Sequence, residues 1–485
     1  MTRRAPALAA ALALSTLATG ATKPAFAPIV PGAMIMTADE KAIVPDPNAG
    51  VEQGVVLVEE IEQDDTGKVD RTTFHLRAKI LSSDARSLGD VSIPLESEIG
   101  YVKEWWGRTI LSDGTVLELK QSDLKEQIVE TTRRKSVRAL KAILPGVAPG
   151  CVVDFGWIVW DISQKSLRHV PIQLEWPVRN FRYHWLPPTD HGTGWGITHR
   201  EGLTIEQARE GLTLVVTGRD LPAVAEEPYM PPGDEGRATL WMYHTSFFST
   251  NAKDFWDTYA RGIESQLKTF VSFRPPVDKA MAAMAIPDDA DLMTKLRRAY
   301  DWLGAHVKDV GFLSAEEDAE AQRALDASKD RLAGEVLRSG VGSSDEIAWL
   351  YVTMARRLGA DASLVLAADR SDHYWHPDVK TTSQFDGTLV AVRARGEPDE
   401  KLVFVSPSSG LPFGEVAWWF TGIPALLVSG RGAHSVVVWD APAKQNVSDT
   451  RVDLSFDAGG EGTVRWLRSD TGQQGYLERL SMRPL

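Results

Sequence analysis

The chain has 485 residues, 43% of them hydrophobic and 25% charged, proportions that exclude a largely disordered chain and a multi-pass membrane protein. Its 53 basic and 66 acidic residues leave a net charge of -13, so a basic nucleic-acid surface is not expected. The single cysteine, Cys151, excludes an internal disulfide and a thiolate zinc site; it falls in an expected strand and reads as a small buried residue.

Residues 1–27 read as an export signal. Arg3 and Arg4 precede a small-residue apolar run, Ala7 to Ala18, that is too short for a stable membrane anchor. Ala25-Phe26-Ala27 fits a small-x-small cleavage site, with a cut near Ala21 as the alternative. No later stretch approaches 18 uninterrupted apolar residues, so no transmembrane helix is expected in the mature chain.

Residues 28–51 read as a linker, and residues 52–265 as a β-sandwich. Phe74, Leu76, Ala78 and Ile80 alternate with polar residues, the period of a half-buried strand. Asp113-Gly114 is a hairpin turn, and Pro145, Pro149 and Gly150 punctuate the chain before a strand from Val152 to Trp160. Near Asn251 the pattern becomes helical. Residues 266–441 read as an α+β core in which 345–358 is the clearest helix. Ile347, Leu350, Tyr351, Met354 and Leu358 form its buried stripe, with Ser343 and Ser344 as candidate N-caps and Gly359 as the stop. Strands follow at 363–367, 389–392, 402–405 and 435–439. Residues 442–485 read as a polar linker and one β-hairpin turning at Gly459-Gly460, which is marginal alone and must dock on something or begin a domain the chain does not finish.

The stretch 334–366, GEVLRSGVGSSDEIAWLYVTMARRLGADASLVL, runs turn, helix start, buried helix, strand. That arrangement suits a nucleophile at the first helical turn, where backbone N–H groups favour an anion. The stretch resembles the core of the transglutaminase-like superfamily, a papain-like fold with a Cys-His-Asp triad. Carried over residue by residue, the resemblance puts Ser344 at the cysteine position. Within QFDGTLVAV, residues 384–392, it puts Gly387 at the histidine, and within FVSPSSG, residues 404–410, it puts Ser406 at the aspartate. All three chemical groups are replaced, which implies a non-catalytic relative, because a triad acts as a unit.

Upstream, RTILSDGTVLELKQSDL (108–124) and AILPGVAPGCVVDF (142–155) resemble the domain of unknown function family 3857, which often precedes such cores in exported bacterial proteins. Together the resemblances imply a periplasmic or extracellular bacterial protein that binds a peptide or an envelope protein, needs no cofactor or metal, and is of unstated oligomeric state. An active acyl transferase or peptidase using Ser344 with His373 or His376 of SDHYWHPD as a substitute base is the alternative, and a truncated gene product a third. His373 and His376 otherwise read as a surface loop, with a metal clip with Asp372 and Asp378 as the weaker alternative; Trp418 to Phe420 and Trp105-Trp106 read as core or domain contacts, with a groove lining as the weaker alternative, and Arg133 to Lys135 as a solvated strand edge.

Overall fold

The computed structural model describes residues 29–481 except 96, 98, 132–135, 163–165, 190–191, 226, 229, 233–234, 246, 248, 250, 313–330 and 440–444. The export segment 1–27 and the basic run Arg133 to Lys135 lie outside the described residues.

In chain order the first strands are β1 Gly54–Asp64, β2 Asp70–Ile80, β3 Asp90–Leu95, β4 Tyr101–Ile110, β5 Val116–Glu118, β6 Lys125–Thr131 and β7 Ser136–Ile143. They are followed by β8 Val152–Asp161, β9 Leu167–Pro171, β10 Val178–Leu186, β11 Gly192–Thr198, β12 Thr204–Glu210, β13 Thr213–Leu221 and β14 Thr239–Thr245. Eight of them form one sheet, ordered β12-β13-β10-β1-β2-β8-β4-β5. Two three-stranded sheets, β3-β7-β6 and β11-β14-β9, cover one of its faces. Period-2 alternation makes this packing possible. Leu76, Ala78 and Ile80 of β2 and Val153, Phe155 and Trp157 of β8 meet Ile93 of β3 and Leu240 and Met242 of β14 in one core.

The other face of the large sheet carries charge. Asp154 on β8 is fully buried and accepts from His75 Nε2 at 2.7 Å and Arg108 Nε at 2.8 Å. The chain before β1 lies over this face. Arg77 donates to the carbonyls of Ala33 (3.0 Å) and Ile35 (3.2 Å) and to Glu40 Oε1 (2.6 Å), which sits in a short capped helix, α1, Ala38–Ala42. Residues 32–40, expected as linker, are therefore a bonded part of the sheet. A buried arginine row needs acceptors, and this segment's backbone supplies them.

The second half begins at α2, Ala252–Phe270, which crosses the expected 265/266 division and packs in the second core through Phe255, Trp256 and Ala260. Helices α3 Pro275–Ala283, α4 Leu292–His306, α5 Ala333–Ser339 and α6 Ser344–Arg357 follow, with the short strands β15 Lys308–Asp309 and β16 Val341–Gly342. A five-stranded antiparallel sheet completes this half. Its members are β17 Asp361–Ala367, β18 Gly387–Arg393, β19 Val403–Val405, β20 Pro424–Ser429 and β21 Gly432–Val437, ordered β19-β18-β17-β20-β21. The fold is α+β, with a sheet-rich N-terminal region and a helical C-terminal half. Ile347, Leu350, Tyr351 and Met354 of the expected stripe are buried, with Leu358 half-buried at the C-cap, and so are Ala348, Val352 and Ala355 between them, because helices lie on one side of α6 and the sheet on the other. Gly359, at φ +97°, closes the helix as a left-handed residue.

Strand β14 joins the halves. Leu240 and Met242 point into the first core, while Trp241 and Tyr243 point the other way and pack on Val379 of the second half. The hairpin of β22 Ser448–Phe456 and β23 Gly462–Asp470 is followed by a helix the sequence reading missed, α7, Gly472–Ser481. Tyr476 of α7 packs on Leu411 and Ala417, and Gln473 accepts from the Trp418 N–H and donates to the Val416 carbonyl. Among the described residues, no helix is long and apolar enough to cross a membrane.

Candidate functional site

The parallel pairing of β15 with β16 sets Asp309 beside Gly342, one turn of chain from the start of α6. Ser343, not Ser344, is the N-cap. Its Oγ accepts from the Glu346 N–H at 3.2 Å, and Glu346 Oε2 accepts from the Ser343 N–H at 2.9 Å, a closed capping box. Ser344 is thus the first helical residue, and its hydroxyl donates to Asp309 Oδ2 at 2.7 Å. The other Asp309 oxygen accepts from the Gly311 N–H at 2.8 Å. Asp309 is 6% exposed, while Ser344 itself is exposed, so the bond is half-shielded from water. Nothing in the local sequence marks Asp309, since only the pairing of two distant dipeptides brings it here.

Ser344, Gly387 and Ser406 line one cavity of about 550 Å³. Its walls include Tyr259, Asp345, Asp386, Trp419, Phe420 and Tyr476. Gly387 starts β18, and Thr388 beside it donates to Asp345 Oδ1 at 2.5 Å, tying the strand to the first turn of α6. A side chain at Gly387 has no room, because a Cβ built there meets the Phe420 ring at 2.3 Å. The position of the expected histidine is therefore filled by an aromatic ring from the Trp418–Phe420 turn. Ser406 is buried, and its carbonyl lies 2.9 Å from the Tyr300 hydroxyl and 2.8 Å from the Ser409 hydroxyl.

The electrostatics of the cavity are acidic. Asp345 and Asp386 line it, and no lysine, arginine or histidine does among the described residues. Burial pushes the Asp386 carboxyl above its ordinary range, although the Asp369 N–H and the nearby His373 pull the other way. The first turn of α6 already carries Asp345 and Glu346, which take up the favourable end of its dipole. A carboxylate ligand at that helix end is accordingly disfavoured.

The two histidines weighed as substitute bases sit elsewhere. His373 Nε2 donates to the Gln384 carbonyl at 2.9 Å, and Nδ1 faces Asp372 at 3.1 Å. Burial works against the charged ring, but Asp372 and the Gln384 carbonyl outweigh it and raise its pKa. His376 Nε2 bonds Glu235 Oε1 at 2.9 Å, across the boundary between the halves. Neither ring lines the Ser344 cavity.

Other sequence-marked residues also find places. Trp105 packs at the margin of the first core, and Trp106 lies over Gly156, where a Cβ would stand 2.2 Å from its ring. Trp418 lies under the Arg370 guanidinium at 5.3 Å, while Trp419 and Phe420 face the cavity. Cys151 is 2% exposed, and burial pushes its thiol upward, so it is no nucleophile. Among the described residues, no group of three or more His, Cys, Asp or Glu side chains is arranged to hold a metal ion.

Residues 67–223 match the family model of a domain of unknown function with a solved structure, number 3857. The match runs from the turn before β2 to just beyond β13 and lies within the region whose motifs resemble that family. No curated protein matches the sequence. Among solved structures, the chain is similar to a Parabacteroides distasonis protein provisionally described as a protease. That match has 13% identity and a TM-score of 0.48 and covers 84% of this chain and 78% of the other. It is also similar to leukotriene A4 hydrolase of Saccharomyces cerevisiae (8% identity, TM-score 0.21, 40% of this chain and 29% of that one). A further match is aminopeptidase A of Legionella pneumophila (10%, 0.22, 45% and 27%). At these scores the function has to be argued from the chain's own geometry.

Proposed function

We propose that the chain is an exported, non-catalytic protein with a transglutaminase-like second half, acting as a binding or assembly module in a bacterial cell envelope. The supporting observation is the cavity at the start of α6. Ser344, Gly387 and Ser406 lie far apart in sequence and line one wall system, and the expected base position is packed with the Phe420 ring. Among the described residues no thiol and no imidazole lines this cavity, which supports a groove that binds without turnover. Its aromatic and acidic walls suit a neutral or cation-bearing extended segment such as a peptide. Export rests on the basic, apolar and small-residue order of residues 1–27.

A second reading draws on one bond. Asp309 accepts the Ser344 proton at 2.7 Å, so a serine nucleophile with a carboxylate base is geometrically available. One assay separates the two. Amine incorporation and peptide hydrolysis are measured with the purified chain, Ser344→Ala and Asp309→Asn. The binding reading expects all three at background. Turnover by the native chain that both substitutions abolish establishes the enzyme instead.

A further inference from the structure

The hairpin β22–β23 is exposed on both faces along its length. Its pairing puts Phe456 opposite Gly462, Leu454 opposite Val464 and Val452 opposite Trp466, all on one face. These five apolar side chains are 50–72% exposed, whereas the opposite face carries Asp449, Arg451, Asp453, Ser455 and Arg465 with a single large apolar side chain, Leu467. A two-stranded ribbon with an uncovered apolar face is marginal in water, and a contiguous exposed patch of this kind marks an interaction surface. The ribbon is nevertheless well anchored at its base. Thr471 N–H donates to the Val447 carbonyl at 2.8 Å, Gln473 N–H donates to Asn446 Oδ1 at 2.7 Å, and α7 holds the arm on the body through Tyr476.

We infer that this arm is a homodimerisation element, its apolar face covered by the same face of a second copy related by a twofold axis. The patch is self-complementary in shape. A flat cross-strand row of Val, Leu and Val with an aromatic near each end stacks on its inverted copy, aromatic over aliphatic. Within each copy Arg468 is already paired with Asp470 at 2.9 Å and Glu478 at 3.1 Å, so the contact between copies is apolar. Five side chains at these exposures cover on the order of 500 Å² per copy, about 1,000 Å² for the pair, which reaches the lower bound for a specific interface.

The test uses the mature chain at about 1–100 µM in sedimentation velocity. A reversible dimer is expected for the native protein, and a monomer across the same range for Trp466→Ser with Phe456→Ser, with unchanged circular dichroism and melting of the body. Pairing geometry is read by cysteine trapping, which is clean because Cys151 is buried. Leu454→Cys, near the proposed axis, is expected to form a disulfide-linked dimer under mild oxidation, and Ser455→Cys on the other face is not. A native chain that stays monomeric at 100 µM overturns the inference, as does a dimer that survives the double substitution or equal crosslinking by the two cysteine variants. A monomer whose arm is protected from hydrogen exchange overturns it too, since the cover then comes from the same chain.

Discussion

Glu59 on β1 is 5% exposed and points into the core face beside Leu76 and Phe181. Its Oε2 has no hydrogen-bond partner among the described residues. Desolvation alone pushes its pKa up to about 8, so the side chain is a neutral acid at pH 7. The folded-state value is raised, so the native chain holds one proton more than the unfolded chain between pH 4.5 and 8. Stability is then fully present below pH 4.5 and is lost as pH rises through 8. Relative to Glu59→Gln, the native protein should lose about 3 kcal/mol between pH 4.5 and 7. Urea melts of both proteins across that range check this, and a constant difference between them would show a solvated carboxylate.

At the scale of elements, the cavity depends on how the start of β18 meets the Trp418–Phe420 turn. The turn is held by the Gln473 bond to the Trp418 N–H and by the Arg370 N–H, which donates to the Trp419 carbonyl at 2.8 Å. Phe420 therefore has little freedom to leave Gly387. Gly387→Ala should cost about 1–3 kcal/mol through overpacking, and adding Phe420→Ala should recover most of it. A double-mutant cycle by chemical denaturation measures the coupling, and strictly additive effects would mean that the ring moves aside at no cost. The same contact means that placing a histidine at position 387 requires trimming Phe420 first. Sequence marked both ends of this contact separately. Gly387 stands out in the sequence because the resemblance to the transglutaminase-like superfamily puts a histidine at that position, and Trp418 to Phe420 because aromatics cluster. Their meeting was not legible, because thirty residues, spanning the rest of β18, strand β19 and two loops, intervene.

The two halves are held together by a small polar cluster beside an aromatic one. Glu235 is 5% exposed; Oε1 accepts from the Tyr374 N–H and from His376 at 2.9 Å each, and Oε2 faces His199 at 3.5 Å. His376 also lies 5.0 Å from the Trp241 ring, and Trp256 Nε1 donates to the Pro377 carbonyl at 2.8 Å. Burial pulls the Glu235 carboxyl upward, but the His376 bond and charge outweigh it, and the net pKa is lowered. A lowered folded-state value means that the contact's stability is present above the ordinary glutamate range and is lost as pH falls below about 4.5. Glu235→Ala should separate one melting transition into two at neutral pH, and the native chain should show the same separation on acidification. Calorimetry that finds one unchanged transition in both cases would show that the aromatic contact alone joins the halves.

Sequence by itself determined what depends on neighbours along the chain: the alternating strands, the buried helix expected at 345–358 with its glycine stop, and the motifs of the matched family; it also marked Ser344, Gly387 and Ser406 as candidate positions. Those features are set by periodicities of two and 3.6 residues and by local cap and turn chemistry. Only the tertiary structure decided that Ser343 caps the helix while Ser344 bonds Asp309, that Phe420 fills the space at Gly387, that His376 belongs to the junction between the halves, and that residues 32–40 answer a buried arginine row. Each of these pairs groups tens to hundreds of residues apart. Burial is what makes such partners obligatory, because a charge or hydroxyl removed from water must find its counterpart wherever the fold delivers one.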